Sequence, residues 1–195
     1  MAALTKQDVL DTLTDPMLGR FCLYVNGVFI TLATFGLVAD RIRNGKISVE
    51  QGTQTIALYF SKENKIVTQI GSPSAHARAL LLHECTHALM DVLQCSFTAV
   101  TEEVICYITQ HVYLLLRVPG YNPAVNKSLD PVSQDALWQG FYHSIVGYAK
   151  RAVNSGGFVI DTAHWEFRSL RNHLRTLNIY QHLTDTQGYT NDGVK

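Results

Sequence analysis

Residues 75–117 read AHARALLLHECTHALMDVLQCSFTAVTEEVICYITQHVYLLLR, and this stretch decides the fold. From Ala75 to Leu93 the chain turns to Ala, Leu, His and Met, with Ser74 placed to cap a helix and Pro73 just ahead of it. Val100 to Leu116 is again helical in character, apolar nearly all round, and stops at Arg117 and Pro119-Gly120. Gln94 to Ala99 is so short a connection that the two helices must run antiparallel.

His83 and His87 interrupt the first apolar helix. Positions i and i+4 lie on one helix face about 6 Å apart, so two imidazole nitrogens can converge on one ion. Glu84 is turned about 100° from His83, where its carboxylate reaches a water on that ion rather than the ion itself. Neutral imidazoles in an apolar helix need buried partners, and a metal supplies one for both; backbone carbonyls are the other way to satisfy them. A catalytic zinc takes three protein ligands and keeps a fourth position for water. The metzincin pattern would put a glycine and a third histidine where Met90 and Leu93 stand, which excludes it. Between Val100 and Leu116 only Glu102 and Glu103 are charged, and an ionised carboxylate in so apolar a helix needs a cation. After His87 the first helix runs on for about 9 Å, and Glu103 lies a comparable distance back along the second, which brings it level with the histidines. Glu102 is the alternative ligand.

The stretch from about Ile66 to Leu116 thereby resembles the gluzincin metallopeptidases, in which an H-E-x-x-H helix is followed by a second helix that gives a glutamate, often with a small residue three positions later. Here that pattern is Glu103-Val104-Ile105-Cys106. The resemblance implies one Zn²⁺ held by His83, His87 and Glu103, with Glu84 as catalytic base. It also implies a zincin-like core at about 54–117, and a peptide or protein substrate. Two departures are visible: the spacing from His87 to the glutamate is short, and Tyr107 stands where some gluzincins place an aspartate that orients a histidine ligand. Asp91, one turn beyond His87, is the candidate for that role. Candidate donors to the transition state are Tyr142, His143, Tyr148 and His164.

Around this core, residues 5–14 form a short amphipathic helix that starts at Thr5 and stops at Asp15-Pro16. Phe21 to Ala39 carries no charge, and reads as a central buried helix ending at Asn44-Gly45, with a membrane-associated segment as the other reading. Ile47, Val49, Ile56–Phe60 and Ile66–Ile70 are β-rich, and the last two predict a hairpin around Ser61–Lys65, with a third strand possible. If Ile66–Ile70 is the edge strand beside the motif helix, an extended substrate can pair with it. Residues 131–153 and 162–177 predict two further helices, the second capped by Asp161, before a tail after Asp185 that reads as frayed. The fold class expected is α+β, predominantly helical, in one domain over 1–195, with a hairpin or three-stranded sheet packed on the motif helix and a second helix bearing a ligand.

The 195 residues are 47% apolar and 16% charged, enough to bury a core and too little charge for disorder. Sixteen basic and sixteen acidic residues cancel without a basic run, which excludes a nucleic-acid footprint. Cys22, Cys85, Cys95 and Cys106 show no C-x-x-C pair and read as buried thiols. The first fifteen residues are no signal peptide. A cytoplasmic chain is expected, with membrane association or a non-classical export route as alternatives. Two competing functions remain: a structural zinc scaffold, its fourth ligand drawn from His111, Asp91 or His143, and an effector or toxin using the same hydrolase chemistry.

Overall fold

The computed structural model describes residues 4–52, 57–68, 74–122, 136–184, 186–189 and 191–194. It is an α+β fold, mostly helical, with two small three-stranded sheets. Ile56, residues 69–73 and residues 131–135, which the sequence reading assigns to a strand, a strand end with the turn after it, and a helix start, lie outside the described residues.

Helix α1 (Lys6–Leu13) opens on a reciprocal cap in which Thr5 and Asp8 satisfy each other's backbone N–H. The uncharged run that follows is not one helix. Leu23–Val25 (β1) and Val28–Ile30 (β2) are an antiparallel hairpin closed by Asn26 and Gly27, at φ +46° and +91°. Positive φ at both turn residues is what a two-residue hairpin of the right twist needs, and Asn-Gly supplies it. Tyr24 and Phe29 then face each other across the strands, with ring centroids 4.7 Å apart. Helix α2 (Leu32–Arg43) begins only at the Thr31 cap, and buries Phe35, Val38, Ala39 and Ile42 on one side. The expected all-round core helix over 21–39 is thus a hairpin followed by an ordinary amphipathic helix. Among the described residues no helix is long and apolar enough to cross a membrane.

Strands β3 (Ser48–Gln51), β4 (Leu58–Phe60) and β5 (Lys65–Thr68) form the second sheet in the order β3-β5-β4, with β5 parallel to β3 and antiparallel to β4. The third strand is present, and it moves the edge. β5 is central, so it has no free side for an extended ligand, and β4 is the edge strand beside the motif helix.

Helix α3 (Ala75–Val92) starts at Ser74, whose hydroxyl accepts from the Ala77 N–H. Helix α4 (Ala99–Arg117) is buried on every side from Ala99 to Leu114, because α3 packs on one flank, α5 (Ala136–Ser155) on another, and α6 (Trp165–Thr176) beside it. The connection from α3 to α4 turns at Gln94, φ +53°, and the Cys95 N–H closes back on the Met90 carbonyl. Strand β6 (Phe158–Ile160) returns to pair in parallel with β1. Helix α6 is capped by His164 rather than by Asp161, whose carboxylate instead receives the Ala163 N–H. The tail is not frayed either: residues 186–189 and 191–194 lie back over the start of α4, and Val194 is buried.

Candidate metal centre

Two apolar helices lying side by side bring their few polar residues to one place. His83 and His87, one turn apart on α3, are both buried, with ring centroids 5.2 Å apart. Glu102, Glu103, Cys106 and Gln110 face them from α4. His83 Nδ1 lies 3.1 Å from Gln110 Oε1, and His87 Nδ1 lies 2.8 Å from Glu102 Oε1. Neither acceptor oxygen carries a proton in its usual form, so each Nδ1 is the N–H donor and, in a neutral ring, each Nε2 keeps its lone pair.

Both lone pairs face Glu103. His83 Nε2 is 3.4 Å from Glu103 Oε2, and His87 Nε2 is 3.4 Å from Glu103 Oε1. Glu103 Oε2 is buried and makes no hydrogen bond. Acceptor facing acceptor in a buried site is repulsive unless a proton or a metal cation lies between. Zinc bonds of about 2.0–2.1 Å at tetrahedral angles hold neighbouring ligand atoms about 3.3 Å apart, so the spacing fits a cation of that size. The ligating atoms of His83, His87 and Cys106 also lie within 4.8 Å of one another, so this group could hold a metal ion.

The charges respond to this crowding. Burial alone would pull the His87 imidazole down, but Cys106, Glu103 and the Glu102 hydrogen bond outweigh it and hold His87 well above the ordinary histidine range. Burial likewise pushes Glu103 up, and His87 and His83 override it, keeping its carboxyl well below the usual range. The Cys106 thiol is pushed up by burial to about 12, so it stays protonated unless a metal displaces the proton.

Glu84 stands at the cleft side of α3. Its Oε2 accepts the Tyr59 N–H from edge strand β4 at 2.8 Å. Burial raises its pKa, with Glu103 adding to the rise and His83, His87 and the Tyr59 amide opposing it. Asp91 is fully buried and does not orient a histidine: it accepts the Tyr59 hydroxyl at 2.6 Å and the Gly193 N–H at 3.0 Å. Tyr59 therefore ties β4 to α3 at two points, one of them on Glu84.

Glu102 lies behind His87, against its Nδ1, while Glu103 faces its Nε2. Sequence reasoning does not find the orienting roles of Gln110 and Glu102, although Glu103, Cys106, Tyr107 and Gln110 recur at three- to four-residue spacing on one stripe of α4. Of the candidate donors, Tyr142 packs behind Tyr107 with ring centroids 6.1 Å apart, His143 is exposed, His164 caps α6, and Tyr148 packs on Phe158 and Phe167. The tyrosines that line the cleft with Glu84 and the histidines are Tyr59, Tyr180 and Tyr189. Of the candidate fourth ligands for a closed site, His111 is bound to the Tyr107 carbonyl at 2.8 Å. All four cysteines are free thiols, three of them buried and Cys22 half-buried.

No family model, curated protein or solved structure matches this chain.

Proposed function

We propose that the protein is a zinc-dependent hydrolase of the gluzincin kind, with a zincin-like core in which His83, His87 and Glu103 hold the ion, and that its substrate is a peptide or protein. The observation that carries the reading is the meeting of two buried imidazole lone pairs with the Glu103 carboxylate at 3.4 Å, which only a cation or a proton relieves. Zinc in this place would acidify a bound water and polarise a substrate carbonyl.

The chain's own residues then divide the work. Gln110 and Glu102 fix the two ring orientations. Glu84 takes the proton from the attacking water and hands it to the leaving amine, as a carboxylate beside the metal-ligand histidines can. The Tyr59 N–H holds one Glu84 oxygen and leaves the other free for the proton. Tyr180, in the cleft wall, is the donor to the developing oxyanion. In support of a peptide substrate, edge strand β4 lies at the cleft and Leu58 is exposed there.

Replacing Glu84 by Gln is expected to leave zinc bound, and to lower hydrolysis of a casein or peptide-mixture substrate by roughly 10²-fold or more. A variant as active as the parent would remove the assignment. One observation favours a second reading: Cys106 as a fourth protein ligand would close the site into a structural one. The cobalt-substituted protein distinguishes them, because a thiolate ligand adds an intense near-ultraviolet charge-transfer band that the three-ligand hydrolase lacks.

A further inference from the structure

The end of the chain lies across the metal centre. The Gln187 carbonyl accepts the Ala99 N–H at 2.6 Å, and Gly188 pairs with Thr98 at the head of α4. A side chain at Gly188 would stand 3.2 Å from the Phe97 carbonyl, so the two backbones are in close approach. The Tyr189 ring then stands edge-on against His87, with centroids 5.3 Å apart, and its hydroxyl donates to Glu103 Oε1 at 2.5 Å. Asn191 Nδ2 donates to Glu102 Oε2 at 2.9 Å and to the Cys95 carbonyl at 3.0 Å. The Gly193 N–H donates to Asp91 Oδ1 at 3.0 Å.

Glu103 and Glu102 at the site each receive one hydrogen bond from this segment, and buried Asp91, one turn beyond His87 on α3, receives a third. The segment is mostly polar, and besides the buried Val194 and its bonds to the Ala99 and Cys95 backbones and the Gln94 side chain, it is held by these carboxylates. The effect on Glu103 is specific: one oxygen is fixed by Tyr189, and the other is left without a hydrogen bond. That is how a carboxylate is prepared to give one oxygen to a metal.

We infer that the C-terminal segment, residues 186–189 and 191–194, is a working part of the metal centre, with Tyr189 and Asn191 as positioning residues that hold Glu103 and Glu102 for the ion, so that metal binding and docking of the segment favour each other. The inference rests on reading His83, His87 and Glu103 as the metal ligands. Coupling of this kind is reciprocal: if the docked segment tightens metal binding by a given factor, the metal tightens docking by the same factor.

The test measures Zn²⁺ affinity by chelator competition on the full chain, alongside the rate at which a carboxypeptidase trims its end with and without zinc. Tyr189→Phe keeps the ring on His87 and removes only the hydroxyl, so the fold is preserved while zinc affinity is expected to fall about 10-fold or more. Asn191→Ala should act in the same direction, and Asn191→Asp, which brings a like charge to Glu102, should not rescue it. Zinc should slow trimming of the parent and slow it less in Tyr189→Phe. Zinc affinity within about twofold of the parent in both variants, with trimming indifferent to zinc, would overturn the inference. So would a chain shortened after Thr184 that keeps its zinc affinity and hydrolyses faster, since the segment would then only obstruct the cleft. Affinities that change as expected in a chain with no hydrolysis would overturn the hydrolase reading alone.

Discussion

His83 and His87 owe their orientation to side chains 27 and 15 residues further on, Gln110 and Glu102. Each removes one ring nitrogen from play and aims the other at Glu103, so the placing of the two rings depends on α4 twice over. Gln110→Ala should leave His83 free to rotate and its Nδ1 without a buried partner. Zinc affinity is then expected to drop about 10- to 100-fold, read by the same chelator competition, with Glu103 still in place. The two histidines and Glu84 are legible because H-E-x-x-H states its own geometry: helix periodicity alone puts two rings on one side. Gln110 is not, because an amide in a helix has no such signature, and only the register between α3 and α4 tells which ring it meets.

At the scale of elements, the hairpin and the motif helices differ in legibility for one physical reason. Helices α3 and α4 repeat a single local preference over many residues, so their ends need only the Ser74 cap and the stop at Arg117. In Phe21 to Ala39 the preference changes partway, and the change is carried by two residues, Asn26 and Gly27. An apolar run with a tight turn inside it looks like a longer helix unless the turn chemistry is weighed first. Gly27→Ala tests how much that turn contributes. A methyl group there meets nothing within 4 Å, so the cost is backbone strain alone, at φ +91°. The expected loss is about 1–2 kcal/mol in urea denaturation, with the metal site unaltered.

Over the whole molecule, Asp15 joins the end of the first helix to the end of α4. Its buried carboxylate accepts from Arg117 Nε at 2.8 Å and from the Tyr113 hydroxyl at 3.0 Å, with Arg117 Nη2 also in contact. Burial pushes the Asp15 pKa up, but Arg117, the Met17 N–H and Tyr113 together take it below the ordinary value. A carboxylate with a lowered folded pKa stabilises the fold above its unfolded pKa, and that contribution is lost as the pH falls through the folded value. Asp15→Asn is therefore expected to cost about 1–3 kcal/mol near pH 7, toward the lower end because the Arg117 side chain is 38% exposed. The gap from the parent should narrow below about pH 4, as urea midpoints taken at both pH values would show.

The sequence by itself determined the parts that are periodic or local: a mostly helical α+β chain, the cap at Ser74, the pair of antiparallel helices, and His83, Glu84 and His87 on one helix with an acidic pair opposite. Each follows from spacing along a single element. Tertiary structure decided what depends on distant segments meeting. It made β4 rather than β5 the edge strand, because β3 pairs with β5, set Glu102 behind His87, and left Glu103 facing both lone pairs. It also brought a polar tail, which by composition looks unanchored, onto three buried carboxylates. No local pattern encodes those bonds, since a buried acid takes a donor from wherever in the chain the packing delivers one.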